Sequence, residues 1–167
     1  LPKAINTFYF CQSVFRKIMQ DNKKFINIGI VAHVDAGKTS ITELFLYKSG
    51  VTRTIGSVDK GTSQTDWLAV ERERGISVRS ASASFTWNAI NINLIDTPGH
   101  VDFSSEVERS MLAMDCAILV ISAAEGVQAH TITLWNALQK ANIPSILFIN
   151  KIDRAGSNID SVIAEIR

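Results

Sequence analysis

Three short segments of this chain carry glycines and side chains suited to phosphate and base chemistry. In chain order they are Ala32-His33-Val34-Asp35-Ala36-Gly37-Lys38-Thr39, Asp96-Thr97-Pro98-Gly99-His100 and Asn150-Lys151-Ile152-Asp153. In the first, successive backbone amides around Ala36, Gly37 and Lys38 can point at phosphates, and the Lys38 ammonium can reach the β- and γ-phosphates. The Thr39 hydroxyl is suited to Mg²⁺, and Ser40 completes the loop residues. Ala32 stands where such loops usually open with glycine, and a methyl group is tolerable there at negative φ. Asp35 fits either a nearby cation or local amide bonds.

In the second segment, Asp96 is placed to hold the Mg²⁺ shell. The Gly99 amide can approach a γ-phosphate because no side chain intervenes. His100, next to Gly99, is a candidate for orienting the attacking water; its alternative is a solvent histidine, which is also the expectation for His130 on the exposed part of its helix. The third segment discriminates bases by hydrogen-bond polarity. The Asp153 carboxylate accepts from guanine N1–H and the 2-amino group, whereas adenine offers an acceptor at N1 and nothing at C2. Asn150 either bonds the base or braces the phosphate loop, and the Lys151 stem can lie along the ring. Any one segment alone is weak evidence, since Asn-Lys-x-Asp is also an ordinary turn. Together they point to GTP and GDP with Mg²⁺.

The surrounding hydrophobic pattern must put these segments side by side. Phe25 to Ala32 reads as a buried strand running into the first loop, and Ile41, Leu44, Phe45 and Lys48 then fall at helical spacing before Ser49-Gly50 stops the helix. Val78 to Trp87 and Ile90 to Asp96 alternate around Asn88-Ala89, which predicts an antiparallel hairpin. Ala117 to Ile121 and Ser145 to Asn150 are continuous apolar runs suited to central parallel strands. A crossover helix striped by Thr131, Leu134, Trp135 and Leu138 joins them. Ile159, Val162, Ile163 and Ile166 begin another helix. The prediction is an α/β fold with a mostly parallel central sheet and helices on both faces. Each motif follows a strand at its carboxyl end, the edge where open α/β sheets bind ligands. Between Ser49 and Gly75 no period is sustained, so that stretch is a candidate nucleotide-sensing switch.

With 46% hydrophobic and 20% charged residues, 167 residues suit one domain with a sizeable core. A net charge of +1 neither requires nor excludes a nucleic-acid partner. Cys11 and Cys116 make no disulfide framework or metal site, and no metal beyond Mg²⁺ is expected. The longest apolar run, Cys116 to Ala124, is too short to span a bilayer. A cytoplasmic, non-membrane protein is expected. Residues 1–24 read as an N-terminal extension to a nucleotide-binding domain at 25–167. The stretch to Ile18 is apolar and basic without a clear period, and Met19 offers a natural start.

From Phe25 to Arg167 the chain resembles the GTPase domain of the translational GTPases, in the group holding elongation factor G and the tetracycline-resistance ribosomal protection proteins. Arg74-Gly75-Ile76-Ser77 is similar to that family's first switch, His100-Val101-Asp102-Phe103 to its second, and Glu125-Gly126-Val127 to the segment after its fourth strand. The phosphate loop and Gly56-Ser57-Val58-Asp59-Lys60-Gly61-Thr62 look more like the protection proteins, with elongation factor G proper as the alternative. The resemblance implies the P-loop GTPase fold and a whole protein that binds large-subunit ribosomal RNA and hydrolyses GTP, with His100 ordered by that contact. A GTP-binding switch with little hydrolysis is the rival. Ser77 stands where the family usually has the threonine that coordinates Mg²⁺, keeping the hydroxyl and losing a methyl group. The family's last guanine motif, a Ser-Ala pair, is expected after Asp153. Ser80-Ala81 and Ser122-Ala123 precede it, so the GTPase fold is expected to be truncated here before its last strand and helix.

Overall fold

The computed structural model describes residues 8–9, 25–54 and 80–167. Ser77, the segment around it that resembles a first switch, and Gly56 to Thr62 lie outside the described residues.

Continuous apolar runs form the middle of the sheet, because a strand covered on both faces has no polar side. Strand β2 (Phe25–Ala32) pairs in parallel with β4 (Ile90–Asp96) on one side and with β5 (Cys116–Ser122) on the other. Strand β6 (Ser145–Asn150) adds in parallel beyond β5, and β3 (Ala81–Trp87) adds antiparallel beyond β4. The hairpin turns at Asn88 and Ala89, whose φ values of 47° and 66° supply the handedness a tight connection needs. The start of its first strand falls at Ala81, with Ser80 outside the ladder. A two-residue strand, β1 (Phe8–Tyr9), lies antiparallel along the outer edge of β6, opposite Phe148 and Leu147. No periodicity within the 1–24 stretch announces that pairing. The strand order is β1-β6-β5-β2-β4-β3.

Alternation along the strands divides the core. Ile30, Ala32, Leu94, Ile118, Val120 and Phe148 face α1 (Lys38–Lys48), which contributes Ile41. Val31, Leu119, Ile121 and Ile149 face the opposite side. There they meet Val107 and Met111 of α2 (Ser104–Met111), Leu134 and Leu138 of α3 (Ala129–Lys140), and Val162 of α4 (Ile159–Ile166). Helices therefore cover both faces, as the sequence predicts. Cys116 is a core residue, its thiol pushed up to about 11 by burial and then by Asp115. No helix among the described residues is long and apolar enough to cross a membrane.

The strand order reverses at β2: the chain leaves it toward β4 and later returns to β5 on its other side. That reversal opens a crevice at the carboxyl edge, with the phosphate loop after β2, the second motif after β4 and the third after β6. A separate groove of about 380 Å³ under α1, lined in part by Phe45, Phe85, Trp87 and Ile92, contains none of the motif residues.

Candidate nucleotide site

The loop between β2 and α1 is shaped by two residues in the left-handed region, Asp35 at φ 60° and Gly37 at φ 88°. Asp35 tolerates that conformation better than most side chains. For Gly37 it is obligatory, because a Cβ there would sit 2.4 Å from Asn150 Nδ2. Gly37 is also the N-cap of α1 and makes no side-chain cap, while the helix's first turn carries no acidic residue. Among the described residues no side chain caps this helix start, so its first-turn amides and positive dipole end face the loop, as a phosphate site requires.

Lys38 and Asp96 are both nearly fully buried and form an ion pair between the start of α1 and the end of β4. Asp96 thus holds the ammonium beneath the loop, and pairing offsets the large cost of burying either charge. Thr39, half-buried, follows Lys38 in the first turn, and Ser40 beside it is exposed. A hydroxyl and a carboxylate from these two elements make a hard oxygen donor set that fits Mg²⁺.

The second motif is pinned onto the first. Both the Thr97 amide and its hydroxyl donate to the Ile30 carbonyl, at 3.3 and 2.8 Å. A Cβ on Gly99 would lie 3.4 Å from the Ala32 carbonyl oxygen and 3.5 Å from that of His33, so glycine lets this turn approach the phosphate-loop backbone. His100, 38% exposed, projects past that contact. Its Nδ1 accepts the Asp102 amide at 3.3 Å and its ring lies 6.0 Å from that of Phe103. The same nitrogen lies 3.3 Å from the Asp102 carboxylate, so this one residue holds that side of the ring.

The third motif reaches the first through Asn150, whose Nδ2 donates to the Ala36 carbonyl at 2.9 Å. Of the two roles open to Asn150, the geometry displays the brace. Asp153 is exposed in the turn after β6, where the Arg154 amide donates to the Lys151 carbonyl at 3.2 Å. Lys151, at φ 57°, does not have a free ammonium: it lies 3.4 Å from Glu125 Oε1.

His33 differs from its neighbours. Its ring is buried and turned away from the loop's mouth toward α3, with Nδ1 3.1 Å from Thr131 Oγ1 and Nε2 3.1 Å from Glu125 Oε2. Burial lowers its pKa, outweighing the Glu125 hydrogen bond. The neutral ring donates from Nε2 to the carboxylate and accepts the threonine hydroxyl at Nδ1. Any part His33 takes in phosphate binding is through its backbone; Val34, exposed, and buried Ala36 likewise offer only backbone there. Sequence reasoning missed Glu125 and Thr131 as partners, although Thr131 falls on the predicted stripe of its helix. His130 is corrected outright. It is half-buried rather than exposed, and its Nε2 is buried with no hydrogen-bond partner among the described residues. Burial, then the nearby His33 and His100, lowers its pKa, because the first turn of α3 faces the phosphate loop.

The Gly37 geometry gives a direct expectation. Gly37→Ala forces an L-residue into the left-handed region and pushes Asn150 off Ala36, costing about 1–3 kcal/mol of stability. Thermal unfolding and a guanine-nucleotide titration check this; an unchanged melting temperature with unchanged affinity would refute the packing argument.

Comparison with known proteins agrees with this geometry. Residues 23–167 match the profile of the elongation factor Tu GTP binding domain. The tetracycline resistance protein TetP of Clostridium perfringens is 57% identical over 145 residues, covering 87% of this chain and 22% of that protein. The tetracycline resistance protein TetW of Butyrivibrio fibrisolvens is 56% identical over 144 residues, covering 86% and 22%. A crystal structure of a Thermus thermophilus protein superposes with a TM-score of 0.81 at 30% identity, covering 85% of this chain and 21% of that one. The chain spans about a fifth of the length of these relatives.

Proposed function

Because this chain belongs to the elongation factor Tu GTP-binding domain family, we propose that it serves a ribosome-associated, cytoplasmic translation factor of the tetracycline-resistance type, whose GTP hydrolysis the ribosome stimulates. Guanine-nucleotide binding and GTPase chemistry come with the family. The ribosome, with its large-subunit RNA as the activating contact, is the proposed partner, supported by 54–57% identity to several tetracycline resistance proteins. The structural observation that carries the site is the Asn150 to Ala36 bond, which ties the base-reading turn to the phosphate loop at one sheet edge.

In this reading, the amides of Ala36, Gly37 and Lys38 and the Lys38 ammonium bind the phosphates, and the Gly99 amide senses the terminal one. Thr39 and Asp96, with Ser77 from the first switch, hold Mg²⁺, which supplies charge neutralisation at the phosphates when bound. His100 orients the attacking water through its ring nitrogen. Asp153 reads guanine N1–H and the 2-amino group while Lys151 covers the base. None of these residues forms a covalent bond to substrate; rate comes from position and charge.

Phosphate release by the full-length protein, measured with and without ribosomes, tests the proposal. Hydrolysis that is slow alone and greatly faster with ribosomes is expected. Tight GTP binding with no ribosome-dependent phosphate release would favour a switch that exchanges partners without hydrolysis.

A further inference from the structure

Glu125 joins two motifs that are far apart in sequence. It sits in the loop after β5, and its carboxylate faces both ways: Oε2 lies 3.1 Å from His33 Nε2, and Oε1 lies 3.4 Å from Lys151 Nζ. His33 is the second residue of the phosphate-loop motif and Lys151 the second of the guanine motif. We propose that Glu125 is a positioning residue that holds the Lys151 side chain against the phosphate-loop wall and so sets how tightly the guanine end of the nucleotide is retained. The inference rests on the reading of Asn150 to Asp153 as the guanine motif.

The loop carrying Glu125 is itself fixed. The Gly126 amide donates to the Ser122 carbonyl at 2.9 Å, the Gln128 side chain donates to the Glu125 carbonyl at 2.7 Å, and the Val127 amide donates to Glu165 Oε2 of α4 at 2.8 Å. On the other side, the His33 ring is locked between the carboxylate and Thr131 Oγ1, both at 3.1 Å. A carboxylate accepts at both oxygens, so one residue can receive the imidazole N–H and the ammonium together. The result is a second tie between the two motifs, parallel to the direct bond from Asn150 to Ala36. It differs from that bond in ending on a side chain rather than on backbone. Lys151 has a long, rotamer-rich stem, and a fixed anion near its ammonium reduces the freedom it must lose when a base packs beside it.

Glu125→Gln separates the two halves of the tie. The amide oxygen can still accept from His33, but the amide NH₂ then faces the Lys151 ammonium, two donors without an acceptor. In the full-length protein, dissociation constants and off-rates for fluorescent GDP and for a non-hydrolysable GTP analogue should both rise, about two- to fivefold, the range of a partly exposed ion pair. The two nucleotides should change by the same factor, since they share the base. The melting temperature of the nucleotide-free protein should fall by no more than the few degrees that loss of a partly exposed ion pair costs. The decisive arm is a double-mutant cycle with Lys151→Met: once the ammonium is gone, Glu125→Gln should add no further loss. Additive losses, or wild-type affinity in Glu125→Gln, would overturn the inference while leaving the guanine reading intact. Failure of the unsubstituted protein to prefer guanine nucleotides would instead remove that reading and this inference with it.

Discussion

Replacing His100 by alanine in the full-length protein should lower ribosome-stimulated GTP hydrolysis by about 10²–10⁴ and leave GTP affinity nearly unchanged. The separation of rate from affinity follows from the geometry. Lys38 is held by Asp96 under the phosphate loop, Asn150 braces Ala36, and neither contact involves His100. Gly99, not His100, is the residue packed on the Ala32 and His33 backbone. The imidazole is 38% exposed, with Asp102 against one nitrogen and no hydrogen bond on the other among the described residues. In the proposed function, removing it deletes a group that acts only when the water must be placed in line with the γ-phosphate. Single-turnover phosphate release on ribosomes, read beside equilibrium nucleotide binding, checks the expectation. Wild-type hydrolysis by His100→Ala would make it a surface histidine beside a nucleotide site, and another group would have to orient the water.

Asp153→Asn should move the base preference from guanine to xanthine. In the proposed function the carboxylate accepts from two donors on guanine; the amide keeps one acceptor and presents a donor, which suits the 2-carbonyl of xanthine. A site built to pair such groups can reject the wrong partner by up to about 10⁴, so the reversal should be large. Asp153 is exposed and outside the Asn150 brace, so the substitution should leave the fold undisturbed. Competition between GTP and xanthosine triphosphate for the variant measures it. Retained preference for GTP would mean that Asp153 does not read the base edge.

The strands are legible in the sequence because their signals are strong and local. β2 at Phe25–Ala32 and β6 at Ser145–Asn150 keep the predicted limits, and β5 extends the predicted run by one residue at each end. Hairpin alternation around Asn88-Ala89 is equally plain. Ile41, Leu44 and Phe45 announce α1, yet its fully buried positions include Thr42, Glu43 and Leu46. A polar pair beside the phosphate loop defeats a simple apolar stripe. α2 escapes prediction although Val107 and Met111 stand four residues apart, because the motif just before it draws the reading toward a switch.

The candidate site divides along the same line. Motif order places the three loops on one sheet edge, since that conclusion needs only strands and parallel connections. What it cannot supply is the direction of each side chain. His33 and Lys151 look alike as loop residues, and only the tertiary fold brings Glu125 between them across separations of 92 and 26 residues. His130 is misplaced by sequence for the related reason that a helix's exposed face cannot be known before its neighbours are. The β1 pairing, two residues long, lies below the length at which alternation is visible at all.

The central claim is that the three loops form one guanine-nucleotide site, and competition binding tests it most directly. Fluorescent GDP bound to the full-length protein in the presence of Mg²⁺ should be displaced by unlabelled GTP and GDP at stoichiometric excess, while ATP at the same concentration displaces little. Displacement by ATP as effective as by GTP would contradict the account, because the phosphate loop would then be acting without the base discrimination assigned to Asp153.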